Sequence, residues 1–380
     1  MIPVYKPYFT KKTLSYAHDA IDSEWVSSIG YYIKAAEDKL KELLDVKFVL
    51  LVNNGTSATH LVAKTMGERV SKIFVPNSVY VAAWNSLLFE YPASFLTFIE
   101  PDLETWNFDL KKLDIEIDKY KNSFTMLDEQ FIESGIGILV VHNVGNPIDV
   151  IGLKKKYKNC KIIEDNCEGF LGKYSGKYTG TESIASSISF YGNKNITSGE
   201  GGAFITNNET HYENAKLYHG QGQSSKRFVH AIMGNNYRMT NVQAALLYGQ
   251  LELLPEITEM KNENFEFYRK ELSQIEEIKF QKVADNCLHS NWMFGVRLLN
   301  SPGFDVANKF FNSKGVDIRP MFYPASEHEY LIETKNKTIK STNSELLSKE
   351  CFILPSFPSL TKQEKELVVE TVKQFIQQYK

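Results

Sequence analysis

The chain has 380 residues, 43% of them hydrophobic and 23% charged, with a formal net charge of -3. That length exceeds what one core usually serves and predicts two domains of a globular protein, while the charge gives no reason to expect nucleic acid or an anionic membrane as partner. No apolar run approaches a bilayer span, the start Met1-Ile2-Pro3-Val4 lacks a secretory pattern, and four scattered cysteines lack metal-site spacing. These features predict a cytoplasmic enzyme or binding protein without a metal site.

In chain order, Phe48–Val52 and residues 72–75, 138–141 and 161–163 are short, apolar and rich in β-branched or aromatic side chains. Such runs are expected as strands buried on both faces, as in a parallel sheet covered by helices. Turn-forming residues follow each run, so the strand ends should open into a common cleft. Residues 110–135 are polar and charged without a clear period, and are expected as an elaborated surface connection. Residues 184–190 read as strand-like.

Further along, residues 240–254 read as a helix stopped by Pro255, with a charged, aromatic-rich helix after it. Residues 291–298 read as a strand. The last helix opens with the capping-box pair Thr361 and Glu364 and carries Val368, Val372, Phe375 and Tyr379 on one face. The expected organisation is a large α/β domain over residues 1–250 and a smaller α+β domain over 251–380.

Lys194 lies in Ser189-Phe190-Tyr191-Gly192-Asn193-Lys194, ahead of Ser198-Gly199-Glu200-Gly201-Gly202. A lysine in a glycine-lined turn behind an apolar strand can be desolvated enough to act as an amine nucleophile, as a pyridoxal phosphate (PLP) enzyme requires. A solvated surface lysine fits the segment too. Strand Phe48–Val52 runs into Asn53-Asn54-Gly55-Thr56-Ser57, whose small residues at a helix start would leave amide hydrogens free for a phosphate. An ordinary helix start capped by Thr fits as well. Residues 161–163 lead into Glu164-Asp165-Asn166-Cys167-Glu168, where Asp165 could keep the pyridine nitrogen of PLP protonated or simply cap a loop. Ser189 could reach the same phosphate, and Tyr80 could stack on the pyridine face or pack beneath a loop.

The segments SEWVSSIGYYIKAAE, NNGTSATHL, IIEDNCEGFLGKYSGKYTGT, SFYGNKNITSGEGG, GNNYRMTNVQAAL, RPMFYP and LPSFPSL, in this order, resemble the DegT/DnrJ/EryC1/StrS family of fold-type-I, PLP-dependent nucleotide-sugar aminotransferases. The resemblance covers almost the whole chain. It implies PLP as cofactor, L-glutamate as amino donor and a nucleotide-linked 4-keto-6-deoxyhexose as acceptor, GDP-4-keto-6-deoxy-D-mannose being favoured. It also implies a homodimer with shared active sites, and a place in surface-polysaccharide biosynthesis. By the same resemblance Lys194 carries the cofactor and moves the proton, Asp165 pairs with the ring nitrogen, and Glu168 lies beside the cofactor hydroxyl or the sugar. Gly55, Thr56 or Ser57, and Ser189 hold the phosphate, Tyr80 covers the ring, Asn236 reaches the second subunit's phosphate, and Arg238 and Arg319 lie near interface and substrate.

Three places depart from the family pattern. Val79 stands where Thr is common, residues 142–147 replace the usual Leu-Tyr-Gly-His/Gln-Pro loop, and the 110–135 insert is long. Two rival readings are a dehydratase of the same fold and a non-catalytic relative. Dehydratases resembling this family carry histidine where this chain has Lys194, and the intact lysine, acid and phosphate loop speak against a silent protein.

Overall fold

A computed structural model describes residues 1–124, 128–331 and 342–379. The apolar runs become strands β1 (Phe48–Val52), β2 (Lys72–Pro76), β3 (Leu96–Ile99), β4 (Ile136–Val141) and β5 (Lys161–Asp165). After the short β6 (Lys173–Tyr174) and β7 (Lys177–Tyr178), strands β8 (Ser186–Ser189) and β9 (Gly202–Thr206) complete a seven-stranded sheet of order β1-β9-β8-β5-β4-β2-β3. Neighbours from β8 through to β3 pair in parallel, whereas β9 is antiparallel to both β1 and β8.

Side-chain alternation sorts these strands between two apolar layers. Ile73, Val75, Leu139 and Val141 pack with Leu61, Val62 and Trp84 on one face. Phe74, Ile138 and Val140 pack with Leu113, Ile117 and Leu153 on the other. Helices on both faces are why these strands read as unbroken apolar runs. Strands β3 and β9 were not among the predicted runs. β9 hides behind the small-residue run at 198–202, whose glycines read as turn.

The 110–135 insert is helical, which corrects the expectation of an aperiodic connection. Helices Leu110–Asn122 and Glu129–Ser134 start at Asp109 and Asp128, whose carboxylates accept backbone N–H groups of the first turn. Leu113 and Ile117, one turn apart, are fully buried. Their two-residue stripe is too sparse to stand out among charges. Residues 125–127 of the insert lie outside the described residues.

Helices Asn241–Glu252 and Leu254–Leu272 follow. Pro255 does not merely stop the first: it sits in the opening turn of the second, where a missing N–H costs no hydrogen bond. Strands β10 (Ile278–Lys279), β11 (Cys287–Leu288), β12 (Phe294–Leu298), β13 (Arg319–Pro320) and β14 (Cys351–Leu354) come next. Four of them form an antiparallel sheet of order β10-β12-β14-β13, while β11 joins β6 and β7. Helices Leu254–Leu272, Phe304–Ser313 and Lys362–Tyr379 share its core through Tyr268, Phe311, Val368, Val372 and Phe375. Thr361 and Glu364 form the expected reciprocal cap, with N–H bonds of 2.8 and 3.3 Å. Tyr379, the last residue of the predicted stripe, stays 37% exposed. Ile2 bridges Val316 and packs with it in the core of this second sheet. Among the described residues no helix is long and apolar enough to cross a membrane.

Candidate active site

The carboxyl ends of the parallel strands open into a cavity of about 850 Å³, walled opposite by residues of the second sheet. Asp165 closes β5, and its register partner on β8 is Ser187, two residues before Ser189. The acid and the lysine turn therefore leave adjacent parallel strands, as the strand-like reading of 184–190 anticipates. Asp165 is buried, and its Oδ1 accepts the Cys167 N–H at 3.0 Å and the Ser187 hydroxyl at 3.4 Å. Burial, reinforced by the Asp165 charge, pushes the Cys167 thiol well up, so it faces the cavity as a neutral group.

Glu168 is 5% exposed, and its Oε2 accepts the Val144 N–H at 2.7 Å. Burial pushes its carboxyl up to about 7, outweighing the opposing pull of Lys194 and of that N–H. Val144 holds a left-handed φ of 54°, a costly conformation for a β-branched residue. The residue whose backbone meets the acid is thus the strained one of this loop. His142 anchors the same loop through a fully buried contact of 2.7 Å with Glu164.

Lys194 is partly buried, and its Nζ lies 3.9 Å from the centroid of the Trp292 ring. Its own turn is fixed by the Lys194 N–H on the Tyr191 carbonyl at 2.9 Å. Neighbours hold it from outside: the Trp292 indole N–H donates to the Asn193 carbonyl at 3.0 Å, and the Tyr5 hydroxyl to the Lys194 carbonyl at 2.6 Å.

Helix Gly55–Lys64 begins at the same cavity, with the Asn54 side chain accepting the Ser57 N–H at 2.8 Å. A Cβ on Gly55 would stand 2.7 Å from Ser189 Cβ and 3.3 Å from Cys167 Sγ. Only glycine lets the helix start approach β8 this closely, and Asn54, Gly55 and Thr56 line the cavity there. Tyr80 is 60% exposed on the rim, its ring centroid 6.1 Å from that of Phe322.

Of the residues singled out from sequence, Gly55, Thr56, Tyr80, Asp165, Glu168, Ser189, Lys194 and Arg319 line this one cavity. Ser57 does not; it is buried in the first helical turn. Asn236 and Arg238 also lie outside it, exposed and joined to each other by a 2.9 Å bond from Arg238 Nε to Asn236 Oδ1. Sequence reasoning missed Trp292, His328, Phe322 and Tyr323. The last two sit within RPMFYP, which Arg319 had already marked, whereas nothing near Trp292 in sequence signals its place.

These residues fit PLP: an amine, an acid on an adjacent strand and a glycine-floored helix start surround one space of sufficient size. A seven-stranded mixed sheet with this arrangement at its strand ends, beside a smaller antiparallel sheet, defines the fold-type-I aminotransferases. The chain belongs to the DegT/DnrJ/EryC1/StrS aminotransferase family, which matches residues 7–373, and it is a PLP-dependent sugar aminotransferase of that family. It is 32% identical to a GDP-perosamine synthase of Escherichia coli O157:H7, covering 98% of both chains, and 30% identical to that of Vibrio cholerae, covering 99% of both. Among solved structures, Helicobacter pylori PseC, an aminotransferase of pseudoaminic acid biosynthesis, superposes with a TM-score of 0.88 at 21% identity, covering all of both chains. A GDP-4-keto-6-deoxymannose-3-dehydratase variant with bound GDP-perosamine gives 0.82 at 19% identity, covering 98% of this chain and 100% of that one.

Proposed function

We propose that the protein transfers an amino group from L-glutamate to the keto carbon of a nucleotide-linked 4-keto-6-deoxyhexose, with GDP-4-keto-6-deoxy-D-mannose the favoured acceptor. The observation that carries this reading is the meeting of Lys194, Asp165, Glu168, Ser189 and Gly55 in one cavity. The acceptor is favoured by full-length likeness to GDP-perosamine synthases.

In this reading Gly55, Thr56 and Ser189 bind the cofactor's phosphate, aided by the positive end of the helix dipole. Asp165 holds a proton at the ring nitrogen, and Tyr80 covers the ring. Bound there, PLP supplies a ring that withdraws electrons from the carbon losing its proton. Lys194 Nζ would hold the cofactor and, as a free amine, would carry the proton to and from that carbon. Glu168, poised near neutrality, stands beside the sugar or the cofactor hydroxyl. Arg319, on the opposite wall, suits an anionic group of the substrate. Two copies of the chain form a dimer in which exposed Asn236 and Arg238 face the other copy, Asn236 reaching its phosphate site.

The test incubates the protein with PLP, glutamate and a panel of nucleotide-linked keto sugars, and identifies products by mass. A 4-amino sugar from the GDP-linked substrate, formed with 2-oxoglutarate, is expected. Lys194→Ala should lower turnover by at least about 10²–10⁴-fold, the usual contribution of a positioned base. Normal turnover by that variant would overturn the role of Lys194. A deoxygenated sugar product would instead mark a dehydratase, and amination confined to UDP or dTDP sugars would overturn the favoured acceptor.

A further inference from the structure

Resting on Lys194 as the cofactor-bearing amine, we propose that buried Lys261 is a positioning residue: it fixes Trp292 and Tyr5 as a clamp on residues 193 and 194 and so sets where Lys194 Nζ stands. Lys261 is 2% exposed, on the inner face of helix Leu254–Leu272. Its Nζ donates to the Trp292 carbonyl at 2.7 Å and to the Ser356 carbonyl at 3.4 Å, and lies 5.0 Å from the Tyr5 ring centroid. Among the described residues no carboxylate stands within ion-pair distance of it. Burial pushes its ammonium down to about 7.

A lysine in such a place is costly, and an apolar chain of similar volume would fill the space without that cost. What the apolar chain could not do is hold the Trp292 backbone. Trp292 and Tyr5 are the groups that grip the lysine turn, through the Asn193 and Lys194 carbonyls. A third tie runs from Asn195 Nδ2 to the Ser290 carbonyl at 2.8 Å, so three consecutive residues of the turn are held from outside the large sheet. Two of those three ties converge on Lys261. The Trp292 ring also offers its electron-rich face to Lys194 Nζ, which keeps that amine against the cavity wall. Lys261 itself does not line the cavity, so it cannot act on substrate directly.

The test compares Lys261→Met, Trp292→Phe and the double variant. In cofactor-free protein, the rate of reductive methylation of Lys194, read by peptide mass spectrometry, should rise several-fold in each single variant as the amine leaves the ring. In holoenzyme, kcat for the glutamate half-reaction should fall by about 10–100-fold, the effect of roughly 1 Å of misplacement, with KM little changed and the visible circular dichroism of the cofactor altered. The double variant should be no worse than the worse single. Wild-type methylation rate, dichroism and turnover in Lys261→Met would overturn the clamp, and so would additive losses in the double variant. If Lys261→Met does not fold, Trp292→Phe decides: wild-type behaviour by all three readouts overturns the proposal. The methylation arm needs neither cofactor nor sugar, so a protein that aminates no keto sugar would sink the functional reading while leaving the clamp to its own result.

Discussion

Replacing Glu168 with Gln should change the pH dependence of stability by an amount the structure sets. Burial raises the Glu168 carboxyl from 4.5 to about 7. A carboxyl whose folded pKa lies above its unfolded value stabilises the fold relative to higher pH: its benefit is complete below 4.5 and is lost as pH climbs to 7. Above 7 both states are ionised and the loss is constant, at about 3 kcal/mol for a shift of this size. Between pH 5 and pH 8 about 2.5 kcal/mol of it should develop. Gln cannot ionise, and its amide oxygen can still accept the Val144 N–H. Urea unfolding of cofactor-free wild type and Glu168→Gln at both pH values isolates the term, because titrations elsewhere cancel in the difference. The variant's advantage should widen by about 2.5 kcal/mol from pH 5 to pH 8. An advantage that stayed level across that range would refute the claim that burial dominates at Glu168.

Gly55→Val should destabilise the protein by about 1–3 kcal/mol, because even its Cβ overlaps Ser189, and should abolish saturable PLP uptake in an absorbance titration. Uptake with wild-type affinity would exclude this helix start as the phosphate site. Lys194→Ala and Asn236→Ala, each expected to be nearly inactive alone, should recover activity when co-expressed, since in the proposed dimer a mixed pair would contain one site with both native residues. Intact mixed dimers without recovered activity would refute shared active sites.

The strands at 48–52, 72–75, 138–141 and 161–163 were legible because burial on both faces leaves an unbroken apolar run that local composition cannot disguise. β9 was not, since its first residue, Gly202, belongs to a glycine run that resembles a turn until the strand's two antiparallel neighbours are known. The buried stripe of the insert escaped notice for a related reason: Leu113 and Ile117 are outnumbered by charges on the solvent face of the same helix. Among the candidate site residues, Gly55 stood out because it opens a helix after β1, Asp165 and Ser189 because each ends a strand, and Lys194 because of the glycine-lined turn beyond β8.

Local order along the chain was enough to determine which residue types stand at the strand ends, and hence the candidates for the amine, the acid and the phosphate loop. Their convergence depends on strand order, and the sheet decides it by placing β5 beside β8. Only the tertiary structure could show that Val144, in a left-handed conformation, meets Glu168, or that Tyr5 and Trp292 close around Lys194 with Lys261 behind them. Those contacts join residues remote in sequence, and no periodicity or spacing encodes a hydrogen bond between segments that meet only after the two sheets have packed.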